Sequence, residues 1–196
     1  MPKDPLIDDD EMDDLERGLV GRAHGRVLEI GAGRGENFGA FSADVEWHGL
    51  EPDAARRVEL ARRAREWGHS HAPMDAVAER IPLPDASIDS VVGTYVLCSV
   101  SDVPATLAEV RRVLVPGGRV LLVEHVRAPR GVVLPFVQRL ATPFTVRWCG
   151  GCHQDRDPLP TLAETGFTDV EVRRARVRDR PLPPVPTLLY EGRAPA

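Results

Sequence analysis

Gly31, Gly33 and Gly35 stand at alternate positions directly behind the apolar run Val27-Leu28-Glu29-Ile30. Glycine allows positive φ and leaves no Cβ in the way, so at such a loop a ligand can lie almost against the main chain, here along Gly31, Ala32, Gly33 and Gly35. A helix starting at Glu36-Asn37-Phe38 would add unpaired N–H groups. A dinucleotide site usually spaces its glycines G-x-G-x-x-G and seats a pyrophosphate on the helix end. Here the spacing is G-x-G-x-G, and an acid, Glu29, precedes it. An acid in that place suits a phosphate-free ligand with cationic groups, and S-adenosylmethionine carries both an ammonium and a sulfonium. A second acid is expected some 20 residues on, at the end of the next strand, to accept from ribose hydroxyls. Glu51, followed by Pro52, fills that position. The plain alternative is a tight turn with a surface acid at Glu51.

Open α/β sheets bind ligands beyond the carboxyl ends of their strands, so the residues that close the other apolar runs come next. Glu124 and His125 end one run, which puts His125 at the mouth of a cleft as a base or substrate positioner; a histidine satisfied by a backbone carbonyl is the alternative. Thr94 and Tyr95 end another, and Tyr95 suits a wall beside the cofactor as well as it suits a core. Asp155 and His153 are further candidates, in a segment around 130–158 that also holds Phe136, Phe144, Trp148, Cys149, Cys152 and Arg156. Such residues serve an aromatic cover over an apolar substrate, or a packed helical cap. Cys149-Gly150-Gly151-Cys152-His153 is compatible with a metal knuckle or a redox pair. Zinc needs four ligands, only Cys98, His153 and scattered acids could complete them, and no second C-x-x-C exists, so no metal is expected and the cysteines read as packing or substrate contacts.

The elements that must position these residues are short apolar runs alternating with helical segments, the pattern of one α/β domain with a mostly parallel sheet. Strands are expected at 27–30, 45–50, 88–95, 119–124, 170–177 and 187–192, with a weak seventh at 69–72. A helix is expected over 54–67, with Val58, Ala61, Ala64 and Trp67 on its apolar face and the arginines in water. Val103, Leu107, Val110 and Leu114 repeat at helical spacing after Ser101-Asp102, until Pro116-Gly117-Gly118 stops the helix. The proline stretch 181–186 must be extended or turned, and reads as the link between the last two strands. Residues 1–25, with the acidic run Asp8 to Glu16, are too poor in apolar residues for a core element and read as a lid or a solvated tail.

The chain of 196 residues suits one domain, placed at 26–196. A net charge of -5 offers no basic surface for phosphate backbones, so nucleic acid is not an expected partner. No apolar run approaches the roughly 18 residues of a membrane helix, the first residues lack a signal-peptide layout, and three cysteines make no disulfide framework. A cytoplasmic protein is expected, with no integral membrane segment and an oligomeric state left open.

Three motifs together resemble class I S-adenosylmethionine-dependent methyltransferases. They are Glu29-Ile30-Gly31-Ala32-Gly33-Arg34-Gly35, Ala78-Glu79-Arg80-Ile81-Pro82-Leu83-Pro84-Asp85-Ala86-Ser87-Ile88-Asp89, and Glu109-Val110-Arg111-Arg112-Val113-Leu114-Val115-Pro116-Gly117-Gly118. With Val96-Leu97-Cys98-Ser99-Val100, Val123-Glu124-His125-Val126, Gly151-Cys152 and Gly166-Phe167, the chain is most similar to the group that holds alkyl thiol methyltransferases and their bacterial relatives. The resemblance implies a Rossmann-like seven-stranded fold, S-adenosylmethionine as cofactor, S-adenosylhomocysteine as product and a small-molecule acceptor. Many members hold the adenine amino group with an Asp where this chain has Val77, so here backbone groups near Ala78 and Glu79 must read adenine. The microsomal relatives carry an N-terminal apolar anchor where this chain has an acidic preface, which counts against membrane lipid as substrate.

Methyl transfer is an in-line displacement at a sulfonium-activated carbon, so the protein mainly aligns the nucleophile and excludes water. A thiol is already a few per cent ionised at neutral pH, whereas an alcohol or phenol needs a base. The resemblance to alkyl thiol methyltransferases is what favours a thiol acceptor. The other readings are O- or N-methylation of a secondary metabolite, a lipid or quinone substrate, and a non-catalytic protein that senses the cofactor or its product.

Overall fold

The computed structural model describes residues 4–128, 134–148, 151–153, 155–178 and 184–196. In chain order the elements are β1 (Leu6–Ile7), α1 (Asp9–Val20), β2 (Arg26–Ile30), β3 (Glu46–Gly49), α2 (Ala54–Glu66), β4 (Ile88–Thr94), α3 (Val103–Val113), β5 (Leu114–His125), α4 (Leu134–Trp148), α5 (Leu159–Glu164), β6 (Thr168–Val177) and β7 (Val185–Arg193). The seven strands form one sheet in the order β1-β6-β7-β5-β4-β2-β3. All neighbours are parallel except β7, which runs antiparallel to both β5 and β6.

The central strands read as unbroken apolar runs because both their faces are buried. Leu28, Val91 and Leu122 belong to one core, while Val27, Val92 and Leu121 belong to the other, on the opposite face. Caps fix where the helices begin. Asp8 accepts from the backbone N–H of Glu11, Asp53 from Arg56 and Asp102 from Ala105, each at 2.8–2.9 Å. From β2 the chain crosses to β3 on one side and then to β4 on the other. A crevice must therefore open where β2 and β4 end, at Gly31 and Tyr95.

Several expectations need correction. No strand forms at 69–72; the chain there makes one isolated bridge, Leu50 to Met74. The seventh strand is β1, whose two residues carry no periodicity to read. It leads into α1, which is the acidic run itself and buries Met12, Leu19 and Val20. The glycine loop is followed by turns and a single 3-10 turn, Phe38–Ala40, instead of a full helix. In α2 the buried pair is Leu60 and Ala64, and Val58 and Trp67 are exposed, so the apolar face lies one residue over from its expected place. α3 ends at Val113, and Pro116-Gly117-Gly118 falls inside β5, where the register against β4 shifts between Ile88 and Ser90. Pro186 pairs with Arg176 in the sheet, whereas residues 181–183 lie outside the described residues. No helix among the described residues is long and apolar enough to cross a membrane.

Gly35 has φ +84°, and a Cβ there would drive into the ring of Phe38, which is buried against Trp47 with ring centroids 5.0 Å apart. Left-handed strain of about 1–2 kcal/mol and overpacking of about 1–3 kcal/mol add in the same direction. Gly35→Ala should thus lose roughly 2–5 kcal/mol of stability. Urea unfolding measures it, and an unshifted midpoint would refute this account of the turn.

Candidate cofactor and acceptor site

β2 delivers Glu29 and the glycine turn to the crevice. Gly31, Gly33 and Gly35 all take positive φ, and a Cβ on Gly31 would lie 2.6 Å from the Val96 side chain. The N–H groups of the turn are spent within the protein: Ala32 donates to the Leu50 carbonyl (2.8 Å), Gly33 to Glu51 Oε2 (2.9 Å) and Gly35 to the Ala32 carbonyl (2.8 Å). The loop thus offers closeness and shape, its own N–H groups at these three residues are engaged, and the helix start expected to supply unpaired donors at Glu36-Asn37-Phe38 is only a 3-10 turn at Phe38–Ala40.

Glu51 is buried, with one carboxylate oxygen on Gly33 N–H and the other on Asp53 N–H (2.8 Å). Each oxygen keeps a lone pair, so the carboxylate can also accept from two adjacent hydroxyls. It lines a cavity of about 410 Å³ together with Pro52, Val77, Ala78 and Glu79. Val77 is half-exposed there. The Glu79 side chain turns away to the start of α3, where Oε1 accepts from Ser101 N–H (2.7 Å), Ser101 Oγ (2.6 Å) and Asp102 N–H (3.2 Å). Burial would raise its pKa, but these donors hold it below the ordinary glutamate value.

Glu29 is buried behind the turn. Asn37 Nδ2 donates to its Oε1 and Trp47 Nε1 to its Oε2, both at 2.8 Å, and Asn37 Nδ2 also reaches Thr94 Oγ1 (2.9 Å). Burial pushes the Glu29 carboxyl up to about 7 against the pull of these two donors. With Asp13, Glu16, Gly33 and Thr94 it lines a second cavity of about 550 Å³. Gly31, Arg56 and Tyr95 border both cavities, so the two are compartments of one cleft.

Tyr95, at φ +57°, forms the wall between them. Its hydroxyl donates to Glu16 Oε2 on α1 (3.0 Å), and burial followed by the Glu16 charge pushes its pKa up. Its ring packs on that of His125, centroids 4.4 Å apart. Glu124 is fully buried beside them, where Oε1 accepts from the N–H groups of Val96 (3.0 Å) and Leu97 (2.8 Å) and Oε2 from that of Cys98 (3.2 Å). It fixes the turn after Tyr95, a role the sequence signalled only by an acid ending an apolar run. His125 Nδ1 lies 3.7 Å from Cys152 Sγ, and Cys98 Sγ lies 3.3 Å from the Tyr95 carbonyl. His153 contributes its backbone N–H to the Cys98 carbonyl (2.7 Å), and Asp155 sits half-exposed in the turn beyond. None of His125, His153 and Asp155 is among the residues lining the two compartments, so His125 stands behind Tyr95 and not at the cleft mouth where it was expected, and Arg156 ties the segment down through the carbonyls of Leu97 (3.2 Å) and Val100 (2.5 Å). Cys149 of the C-x-x-C lies outside the described residues, as do the side chains of Phe144 and Trp148.

The Glu29 carboxyl has a folded pKa near 7 against an ordinary value of 4.5, so its neutral form is the one the fold favours. Its contribution to stability is present below about pH 4.5 and is lost as pH rises through about 7, a swing of roughly 2–4 kcal/mol. Glu29→Gln should remove most of that swing. Equal stability loss between pH 5 and pH 8 in both proteins, read by denaturant unfolding, would contradict it.

The model of the methyltransferase domain family matches residues 28–122. The human thiol S-methyltransferase TMT1B is 34% identical over 163 residues, covering 81% of this chain and 66% of its own length. The rat enzyme of the same name is 32% identical over 149 residues, 74% of this chain and 61% of its own. The chain thus spans about two thirds or less of these relatives. The uncharacterized methyltransferase YcgJ of Bacillus subtilis is 39% identical over 132 residues, 64% of this chain and 52% of its own. The YcgJ crystal structure superposes with a TM-score of 0.72 at 22% identity, covering 93% of this chain and 99% of the other, so the two share a fold. From this domain match, these relatives and this sheet, the chain belongs to the class I S-adenosylmethionine-dependent methyltransferases.

Proposed function

We propose that the chain methylates a small-molecule acceptor with S-adenosylmethionine, and that the acceptor atom is a thiol sulfur. The observation that carries this is the pairing of two buried acids on either side of a turn with no room for a Cβ. Glu51 faces one compartment and suits a ribose diol; Glu29, with Asp13 and Glu16 near it, faces the other and suits an ammonium. When bound, S-adenosylmethionine supplies a methyl group on a sulfonium sulfur and leaves as S-adenosylhomocysteine.

The protein's own residues do the rest. Glu51 accepts from the ribose hydroxyls, the backbone of Ala78 and Glu79 meets adenine beside Val77, and Pro52 lines the same compartment. Asn37, itself tied to Thr94, and Trp47 hold Glu29 toward the charged end. Tyr95 closes the wall by the reacting atoms, and α1 covers them through Glu16. His125, packed on Tyr95 at the end of β5, positions the acceptor. A thiolate forms with little assistance, so an obligatory base is not required. The thiol acceptor is supported by the relatives named thiol S-methyltransferases.

Mass spectrometry after incubation with labelled S-adenosylmethionine and a panel of thiols, phenols, alcohols and amines tests the reading. Label on thiol sulfur supports it; label on oxygen or nitrogen alone, or none, counts against it. Glu51→Ala should weaken S-adenosylmethionine binding about 5- to 150-fold, the equivalent of roughly 1–3 kcal/mol. Unchanged affinity by calorimetry in the folded variant would remove Glu51 from the site. His125→Ala should slow thiol methylation without abolishing it, whereas loss of an essential base would cost on the order of 100-fold or more.

A further inference from the structure

Cys98, His125 and Cys152 are spaced 27 residues apart along the chain, yet they meet beside Tyr95. A ring nitrogen of His125 and both sulfurs lie within 4.8 Å of one another. Ligands on a tetrahedral zinc, with bonds of about 2.3 Å to sulfur and about 2.0 Å to nitrogen, stand roughly 3.5–3.8 Å apart. His125 Nδ1 and Cys152 Sγ are already at 3.7 Å. Among the described residues the histidine of this cluster is His125 and the thiol that meets Cys152 is that of Cys98.

The cluster is built on anchored backbone. The N–H of Cys98 is held by Glu124, its carbonyl by the N–H of His153 next to Cys152, and Arg156 pins the carbonyls on either side. The His125 ring is fixed by its packing on Tyr95. Both cysteines are buried, and two thiolates with one neutral imidazole cancel the charge of a divalent cation, which suits burial. Ser99, next to Cys98, and Tyr95, over His125, both line the adenosine compartment, so the cluster borders the cleft.

We propose that Cys98, His125 and Cys152 hold one zinc ion as three protein ligands, and that the fourth position takes the sulfur of the acceptor thiol. Loading passes the thiol protons of Cys98 and Cys152 to solvent, and the acceptor gives up its S–H proton to solvent as it binds. A cation there makes a thiolate at neutral pH without a dedicated base. The fourth-ligand half of the proposal rests on the thiol reading above; the site itself rests on the cluster.

The test is anaerobic titration of the reduced, metal-free chain with Co²⁺, without S-adenosylmethionine. A single equivalent should saturate a species with sulfur-to-cobalt charge-transfer bands and the intense visible bands of a tetrahedral centre. Cys98→Ser, Cys152→Ser and His125→Ala should each weaken binding by more than the roughly 10–100-fold that loss of an outer-shell partner costs, and the serine variants should lose charge-transfer intensity. Cys149→Ser should keep both features. A small alkyl thiol should shift the visible bands of the wild type. The exposed trio Glu46, His48 and His71 also has ligand atoms within 4.8 Å, but cobalt there gives no sulfur band, and a His71→Ala background removes it. If a variant fails to fold, protection of Cys98 and Cys152 from alkylation by added zinc, mapped by peptide mass spectrometry on the wild type, reads the same site. Absence of charge-transfer bands, bands that survive both serine variants, or a Cys98–Cys152 disulfide with no metal uptake under reducing conditions would overturn the site. Visible bands unmoved by thiol would overturn the open position. Because loading needs no turnover, a chain that binds cobalt and methylates no thiol separates failure of the thiol reading from failure of the site.

Discussion

One buried carboxylate holds three strand ends together. Glu29, on β2, takes Trp47 of β3 on one oxygen and Asn37 on the other, and Asn37 in turn reaches Thr94 at the end of β4. These are the strands on either side of the crossover, so the width of the crevice is set by side-chain bonds as well as by the ladders. The arrangement has a cost in charge. A carboxylate taken out of water shifts its pKa before it accepts isolation, and Glu29 does so despite two good donors. A cationic ligand at that end would relieve the same burial penalty that destabilises the ligand-free protein at neutral pH.

A second buried acid repeats the device one strand further along. Glu124 satisfies three successive N–H groups after Tyr95, and its carboxyl is held well above the ordinary range by burial and then by Cys98. Because that turn is fixed, Tyr95 stays at positive φ with its ring between His125 and the cleft and its hydroxyl on Glu16. The two acids divide the labour: one fixes the end of the crevice at the glycine turn, the other the end at Tyr95 and His125.

What the sequence made legible was local. The glycine spacing, Glu29, and Glu51 about 20 residues on are set by a strand, a turn and a strand in order, and the structure brings them to one cleft. Cys98 was one of several groups that could complete a site with Cys152, but its meeting with His125 was hidden because only the β4–β5 pairing and the return of Cys152 and His153 bring them together. The direction of the loop N–H groups was equally hidden, since their acceptors, Leu50 and Glu51, belong to another strand's end. α2 misled by one residue because a helix crowded with arginines has a narrow apolar face: Leu60 and Ala64 are its only fully buried positions. β1 is too short to show any pattern, and tertiary pairing alone makes it a strand.

That short strand has a consequence for how the molecule meets others of its kind. Among the described residues, β1 alone lies beyond β6 in the sheet, and it pairs with Arg176 and Val177. The stretch from Thr168 to Arg174 thus forms an outer rim among the described residues, with Val170 and Val172 open to water. A bare rim of this kind is a template for a foreign strand. Here Glu171, Arg173 and Arg174 break up its apolar surface, Arg22 reaches Glu171 from below, and the positive φ of Asp169 kinks the approach where the register against β7 shifts. Colloidal stability is thereby entrusted to a few charges and a bend, and neutralising those charges would turn a solvated margin into an adhesive one.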